Sequence, residues 1–246
     1  MNNLNYKVVK IIADNIFINL NMPFKIDETK TSMGTGAFID KNGLILTCSH
    51  VVADSVSLYI EIPAEGAKKF EVELCGFCPG LDLALLKIKN YKPKHFFKLG
   101  NSDKLSPGDE ILALGFPGTG DDSDNLKITK GIISGQQYGK IQTDAPINPG
   151  NSGGPMIFKN RIVAVNVSGM GGNIQNMNFS VPINSFNKIK QDLLKKTKSL
   201  ILYRPLLGFE YNTTNELIKN KKVKNGVYVN NVFPNSIFEK INIKEG

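Results

Sequence analysis

The stretch DAPINPGNSGGP, residues 144–155, surrounds a single serine, Ser152, with three glycines and three prolines. Such a segment cannot form a helix and makes a poor strand interior. It is either a surface turn whose serine bonds only locally, or a tight bend in which backbone N–H groups face a carbonyl oxygen attacked by the serine. In the second case the glycines let the main chain approach that oxygen closely. Taken alone the stretch favours the turn, so the remainder of the chain has to decide.

A serine nucleophile needs a base that takes its proton and a carboxylate that orients the base. The chain contains 2 histidines, at positions 50 and 95. His95 lies in the charged segment KPKHF, whereas His50 follows an apolar run in LILTCSHVV. His50 is therefore placed at the end of a predicted strand, where a side chain can reach a cleft.

Asp82 is the candidate carboxylate. It lies in GLDLALLKI, flanked by apolar residues, and an aspartate is costly to bury there unless it is paired. A turn residue after Pro79 and Gly80 is about as good an interpretation of Asp82 taken alone. The chain order His50, Asp82, Ser152 is that of the chymotrypsin-type double β-barrel.

Short β-rich runs bounded by Gly, Pro, Asn or Asp recur through residues 1–186, which indicates a sandwich or barrel rather than βαβ units. The runs are residues 7–12, 36–39, 44–47, 57–62, 70–76, 83–88, 110–115, 127–134, 140–143, 155–158, 161–167 and 177–181. Two six-stranded halves would account for all of them. We therefore predict an all-β fold, a chymotrypsin-like double six-stranded β-barrel.

A change of pattern follows the last of these runs. Phe186, Ile189, Leu193 and Leu194 fall near helical spacing with lysines between them, which predicts one amphipathic C-terminal helix over residues 183–198. The β pattern then resumes at residues 207–211 and 226–232, and residues 235–241 are predicted to form a short helix.

Composition sets the broad class of the protein. Its 246 residues are 41% hydrophobic and 21% charged, as in ordinary globular domains that bury a core without disulfides. The chain has 30 Lys+Arg and 22 Asp+Glu, which gives a net charge of +8 that could attract nucleic acid. No zinc-finger spacing or RNA-binding aromatic motif accompanies the lysines, so we expect a solvated surface and no nucleic-acid partner.

The three cysteines, Cys48, Cys75 and Cys78, offer no disulfide framework and are predicted to be reduced thiols. The C-x-x-C at residues 75–78 lacks the second ligand pair of a zinc site and the βαβ context of a redox motif.

The N-terminal residues show no secretory pattern, because Lys10, Asp14 and two asparagines interrupt their apolar run and no small-residue cleavage site follows. Nowhere does the sequence contain the long apolar run of a membrane span. We expect a cytoplasmic or otherwise non-secreted protein without a transmembrane segment.

The segments GTGAFIDKNGLILTCSHVV, LDLALLKI and DAPINPGNSGGP resemble the three catalytic blocks of the HtrA/Deg family of serine proteases, in order and spacing, over residues 34–182. NMNFSVPINSF resembles that family's last protease strand and the beginning of its closing helix. The segment after the linker resembles the start of a PDZ domain. The resemblance implies a protease domain at residues 1–200 and an incomplete PDZ-like α+β segment at residues 206–246, short of a full domain by roughly forty residues.

The resemblance also implies roles for named residues. His50 would be the general base, Asp82 the orienting acid and Ser152 the nucleophile, with the N–H groups of Gly150 and Ser152 forming the oxyanion hole. Unfolded or exposed polypeptides would be cleaved through an acyl-enzyme, with no metal and no organic cofactor. A homotrimer is also implied, in which N-terminal apolar residues could pack between protomers; they could equally cover the barrel of one chain. These residues include Tyr6, Phe17 and Phe24.

One residue of the first catalytic block differs from the family pattern. The family block usually has Asn two residues before the histidine, where this chain has Cys48.

The segment before the nucleophile, residues 145–147, should form one wall of the S1 pocket, and residues 177–180 the other. Neither segment carries an acid, so we predict small or medium aliphatic residues at P1; the nearby Asp144 weighs against this. The candidate S1 residues are Ile147, Met177 and Phe179.

Two other function classes remain open. One is a protease-like binding or chaperone module with an inactive or misaligned triad, against which the intact triad and the GNSGG sequence argue. The other is a basic nucleic-acid-binding protein, which would show steeply salt-dependent binding.

Overall fold

The computed structural model describes residues 3–15, 30–53, 55–118, 125–169, 177–195, 209–212, 228–232, 239 and 241–244. The chain divides into two compact units, Met1–Ile201 and Leu202–Gly246. The first unit contains the barrels, and the described residues of the second include an antiparallel strand pair. The domain boundaries inferred from the sequence, at residues 200 and 206, remain a prediction.

Six antiparallel strands close the first barrel in the order β1-β2-β3-β6-β5-β4. They are β1 (Val8–Asn15), β2 (Lys30–Phe38), β3 (Leu44–Thr47), β4 (Ser55–Glu61), β5 (Lys69–Cys78) and β6 (Leu83–Ile88). Strand β6 is buried along nearly its whole length, which agrees with the unbroken apolar run LALL at residues 83–86.

The second barrel has the strand order β11-β8-β9-β10-β13-β12 and is closed by the pairing of β12 with β11, while β7 adds to β12 in parallel. The strands are β7 (Lys98–Leu99), β8 (Glu110–Gly115), β9 (Lys127–Gln137), β10 (Lys140–Thr143), β11 (Pro155–Phe158), β12 (Arg161–Gly169) and β13 (Asn178–Pro182). The predicted double six-stranded barrel is confirmed. Strand β7 was not predicted, because two residues are too few to show the alternation of apolar and polar side chains that marks a strand.

Two apolar clusters lie among the described residues of the first unit. The smaller one lies in the second barrel and includes Ile111, Ile141 and Met156. The larger one joins the first barrel to residues of β11, β12 and β13 and to the closing helix. The two barrels therefore share a continuous apolar contact.

Helical segments are short except for the closing helix α2 (Ile183–Leu194). A one-turn helix α1 (Ser49–Val52) follows β3, and 3₁₀ turns occur at Leu4–Tyr6, Pro63–Glu65, Pro79–Leu81 and Ser102–Lys104. The predicted C-terminal helix is confirmed through Leu194, and residues 196–198 lie outside the described residues.

Helix α2 ties the barrels together. It follows β13 of the second barrel but packs on β5 of the first, where a Cβ atom at Gly76 would lie 2.8 Å from the carbonyl oxygen of Leu193. Its apolar face, which includes Phe186 and Leu193, is fully buried. The absence of a side chain at Gly76 lets the helix backbone lie directly on the strand.

In the second unit, β14 (Phe209–Asn212) pairs with β15 (Tyr228–Val232). The PDZ-like identity of residues 206–246 stays a prediction, and most of the short helix expected at residues 235–241 lies outside the described residues. In the part of the chain that the structure describes, no helix combines the length and apolar character needed to cross a bilayer.

The N-terminal residues expected at a trimer interface are only partly described. Tyr6 is exposed, and its ring lies 5.5 Å from that of His95. Phe17 and Phe24 lie outside the described residues. The homotrimer therefore stays a prediction.

We expect Leu193→Ala to lower the free energy of unfolding by about 2–5 kcal/mol, because it deletes a fully buried side chain at the helix–strand contact. Equilibrium urea unfolding followed by circular dichroism measures the change. Gln191→Ala, at an exposed position of the same helix, is the matched control and should stay within about 0.5 kcal/mol of the unsubstituted protein. Equal losses in the two variants would contradict this packing.

Candidate active site

The bend before Ser152 is built by a proline and a glycine. The N–H of Asn151 donates to the carbonyl of Asn148 at 2.9 Å, with Pro149 in the second position and Gly150, at φ 98°, in the third. This is the arrangement of a type II turn, whose third position requires a positive φ. A Cβ atom at Gly150 would also collide with the carbonyl of Phe116. Glycine is thus required at position 150 for conformation and for space.

One strand from each barrel holds the residues that follow. From β2, the N–H of Thr35 donates to the carbonyl of Ser152 at 2.8 Å. From β12, Asn166 accepts from the N–H of Gly153 and donates its own N–H to Gly154, both at 2.8 Å. Ser152 therefore lies at the seam between the barrels, and its backbone is fixed from both sides.

Thr35 adds a side-chain contact that the sequence did not reveal. Its hydroxyl, fully buried, donates to the carbonyl of Gly150 at 2.6 Å and accepts from the N–H of Phe116 at 3.1 Å. The neighbouring carbonyl, that of Pro149, accepts from Gly118 at 3.4 Å. The sequence offered one signal for Thr35, because its hydroxyl lies in the otherwise apolar strand segment GTGAF and a buried hydroxyl needs hydrogen-bond partners.

Both carbonyls of the bend are therefore occupied by donors from elsewhere in the fold. The N–H groups of Gly150 and Ser152, by contrast, meet no acceptor among the described residues. These two amides are the ones that the resemblance assigns to an oxyanion hole. They remain available to a ligand oxygen.

His50 and Asp82 are brought together by strand pairing. His50 lies on α1, directly after β3, and Asp82 directly precedes β6, and these two strands are neighbours with Thr47 opposite Ala84. Asp82 has φ 55°, in the left-handed region, at the end of the 3₁₀ turn Pro79–Leu81. Strained conformations of this kind persist where the surroundings impose them, often at functional sites.

The contact between the two side chains is close. Nδ1 of His50 lies 2.9 and 2.8 Å from the two carboxylate oxygens of Asp82. The backbone N–H of His50 and the hydroxyl of Ser49 also donate to Oδ1, at 3.0 and 2.9 Å. An ionised carboxylate only accepts, so Nδ1 carries the proton and Nε2 of the neutral ring is left as an acceptor.

Electrostatics keep Asp82 ionised. Burial opposes ionisation, but the hydrogen bonds from His50, the positive charge that its ring carries when protonated, and the Ser49 hydroxyl outweigh it and hold the pKa of Asp82 below its ordinary value. Burial and the charge of Asp82 raise the pKa of the nearby Cys48 thiol well above its ordinary value. Cys48 is therefore a neutral thiol, and its S–H donates to the carbonyl of Asn166 at 3.3 Å. All three cysteines are free.

Ser152 points elsewhere. Its hydroxyl donates to the carbonyl of Val167 in β12, and no hydrogen bond joins Ser152 to His50 among the described residues. The bend does lie against the segment that leads into α1, since a Cβ atom at Gly153 would come within 3.0 Å of the Cys48 nitrogen. The structure thus joins His50 to Asp82 and places Ser152 on the adjacent loop with its hydroxyl turned to β12.

The candidate S1 residues are also placed. Ile147 and Phe179 are buried and Met177 is half-buried. The side chain of Asn178 donates to the carbonyl of Ala145 at 2.9 Å, which links the two predicted walls. Asp144 is exposed, and its carboxylate accepts from the N–H of Ile132 at 2.7 Å.

The chain is similar in sequence to known proteases. The family described as "Trypsin-like peptidase domain" matches residues 34–165, just over half of the chain. The relative named protease Do-like 14, from Arabidopsis thaliana, is 32% identical to this chain over 222 residues, and the alignment covers 82% of this chain and 50% of the relative. A DegP-like periplasmic serine endoprotease of Pseudomonas putida is 35% identical over 178 residues, covering 68% of this chain and 36% of the relative. The chain thus spans half or less of the length of these relatives.

Among solved structures, the HtrA-type protease AlgW with a bound decapeptide matches with a TM-score of 0.71 at 24% identity. The match covers 98% of this chain and 80% of that one, and it supports the fold.

The comparisons overturn one expectation. Relatives from Pseudomonas putida, Buchnera aphidicola and Chlamydia pneumoniae are named periplasmic serine endoproteases. The predicted cytoplasmic or otherwise non-secreted location is therefore wrong. It rested on the composition of the N-terminal residues, which is a weaker guide to location than related proteins are.

We expect Thr35→Val to lower the free energy of unfolding by about 1–3 kcal/mol, because the isosteric side chain leaves the Gly150 carbonyl and the Phe116 N–H buried without their partner. Thr35→Ser keeps the hydroxyl and should retain most of the stability. Urea unfolding of both variants measures the difference. A valine variant as stable as the serine variant would show that these bonds contribute nothing.

Proposed function

Since the chain belongs to the HtrA/Deg family of trypsin-like serine proteases, we propose that it is a serine endopeptidase that cleaves unfolded or exposed polypeptides through an acyl-enzyme. The observation that carries the proposal is the hydrogen-bonded pair of His50 and Asp82 beside a bend that holds Ser152 and two N–H groups for which the described residues offer no acceptor.

In the proposed reaction, Oγ of Ser152 attacks the scissile carbonyl while Nε2 of His50 takes its proton. Asp82 stays ionised, holds the ring in the tautomer with Nδ1 protonated, and stabilises the imidazolium that forms. The lowered pKa of Asp82 supports this role. His50 then gives the proton to the leaving amine, and water releases the acyl group by the same steps in reverse order.

The negative charge that develops on the carbonyl oxygen is proposed to meet the N–H groups of Gly150 and Ser152. One donor of this kind is typically worth roughly 10²–10³ in rate. Thr35 would act as a positioning residue, because its hydroxyl holds the Gly150 carbonyl and thereby fixes the orientation of the adjoining peptide. Gly118 holds the Pro149 carbonyl in the same way.

The orientation of the Ser152 hydroxyl requires one adjustment. The hydroxyl must leave the Val167 carbonyl and turn towards His50. This exchanges one hydrogen bond for another, each worth only about 0.5–1.5 kcal/mol net.

The same orientation favours the second candidate function, a binding or chaperone module with a misaligned triad. The two candidates differ in reactivity towards a fluorophosphonate probe. Covalent labelling at Ser152 requires an activated nucleophile and a correctly oriented oxyanion hole. A labelled protein is therefore an enzyme, whereas a folded, metal-free protein that is not labelled favours the binding module.

Ser152→Ala and His50→Ala should each abolish cleavage of casein, to similar residual levels, because the triad residues act as a unit. Both variants should retain the circular dichroism spectrum of the parent protein, since only surface or small side-chain groups are removed. Ser49→Ala, which removes one of the bonds to Asp82, is a graded comparison and should retain measurable activity. Casein cleavage by Ser152→Ala at more than a trace would refute the assignment.

Cleavage should occur after small or medium aliphatic P1 residues, because the proposed S1 residues Ile147, Met177 and Phe179 are apolar and the Asp144 carboxylate accepts a hydrogen bond from β9. A peptide library analysed by mass spectrometry measures the preference. Asp144→Asn is the matched control and should leave the P1 preference unchanged. A library cleaved mainly after Arg or Lys would overturn the prediction.

A further inference from the structure

Cys48 adds a third metal-ligand group to the pair of His50 and Asp82. One ligand atom from each of the three side chains lies within 4.8 Å of the other two. Thiolate, imidazole and carboxylate are the ligands that zinc uses in proteins, and three protein ligands leave a fourth position for water. The cluster therefore has the chemistry of an open zinc site.

The backbone holds the three groups in place. Cys48 is the residue that precedes α1, and His50 lies two positions further on the same turn. Asp82 is anchored to that turn by the His50 N–H and the Ser49 hydroxyl. Because one short turn and its bound carboxylate supply all three ligands, only side-chain adjustments are needed to close them around an ion.

Access to the cluster runs through His50. Its side chain is 48% exposed and that of Asp82 is 19% exposed, whereas Cys48 is fully buried behind them. An ion can reach the imidazole and the carboxylate from solvent and then take the thiol as its innermost ligand. The position of Cys48 is also where this chain departs from the Asn of the family it resembles, so the third ligand is a feature of this chain.

We propose that Cys48 Sγ, His50 Nδ1 and the Asp82 carboxylate bind a borderline-soft divalent cation, represented by Zn²⁺, and that this binding switches the protease off. The inhibitory effect rests on the proposed function; the metal site itself does not.

Binding and inhibition follow from one proton balance. The cation displaces the thiol proton, which leaves to solvent, and it takes the lone pair of Nδ1, so that the ring proton resides on Nε2. One thiolate and one carboxylate neutralise the two charges of the ion. With Nε2 protonated and Asp82 engaged by the metal, His50 can no longer accept the proton of Ser152. Since the ion competes with a proton for sulfur, its affinity falls at lower pH.

Binding is tested with Cd²⁺, whose bond to a thiolate produces an ultraviolet charge-transfer band. The triple variant Cys75→Ala, Cys78→Ala, Ser152→Ala retains Cys48 as its sole thiol, because the chain has 3 cysteines. We expect the band to appear, to saturate at one equivalent of Cd²⁺, and to be reversed by Zn²⁺. Adding Cys48→Ala to this background should remove the band. Circular dichroism verifies that both proteins are folded.

Inhibition is tested on the active protein by titrating Zn²⁺ into a casein assay, with each variant compared with its own zinc-free rate. Cys48→Asn should raise the zinc concentration for half-inhibition roughly tenfold or more, since even outer-shell partners of a metal are worth 10–100-fold. Cys48→Ser, which keeps a donor for the Asn166 carbonyl, serves the same purpose if the asparagine variant does not fold. Cys75→Ala is the matched control and should leave zinc sensitivity unchanged.

Three results would be decisive against the proposal or its parts. A folded single-thiol protein without a Cd²⁺ band overturns the site. A band accompanied by equal zinc sensitivity in the parent protein and Cys48→Asn overturns the inhibitory role. A zinc-free protein without protease activity overturns the proposed function, and the Cd²⁺ titration in the Ser152→Ala background still decides whether the metal site exists.

Discussion

The buried hydroxyl of Thr35 is the contact on which the candidate site depends. It belongs to the first barrel, yet it bonds two backbone groups of the second, the carbonyl of Gly150 and the N–H of Phe116. Together with the bond from the Thr35 N–H to the Ser152 carbonyl, this hydroxyl joins the loop that carries Ser152 to strand β2. Each barrel alone would hold only part of the site, so the chemistry proposed here is a property of their contact.

The polar groups of the site follow a consistent division. Groups that must stay fixed, such as the carbonyls of Pro149 and Gly150, accept from donors, whereas the N–H groups of Gly150 and Ser152 find no acceptor in the part of the chain that the structure describes. Leaving donors without a partner costs free energy in a buried setting, and the bend tolerates it because glycine and proline restrict its alternatives. Asp82 is treated in the opposite way, because donors from His50 and Ser49 converge on its carboxylate and offset its burial.

Much of this could be predicted from residue types and spacing. The twelve runs with β pattern correspond to β1–β6 and β8–β13, because period and turn residues are local properties. The candidacy of His50, Asp82 and Ser152 followed from a short list of suitable side chains. Thr35 could not be identified in this way, because its partners lie far away in the chain, and the hydroxyl orientation of Ser152 depends on the carbonyl of Val167. Strand β7 is too short to carry a pattern, and cellular location is not encoded in the fold.

The bond between Thr35 and Gly150 spans 115 residues. Contacts of such separation form slowly, because the intervening chain must lose its freedom before the contact stabilises anything. The first barrel can close while the second is still incomplete, so the nucleophile loop acquires its final shape late in folding. On the proposed function, an unfinished chain therefore carries the serine without a working oxyanion hole. Cleavage by such a chain would then begin only after the two barrels have met.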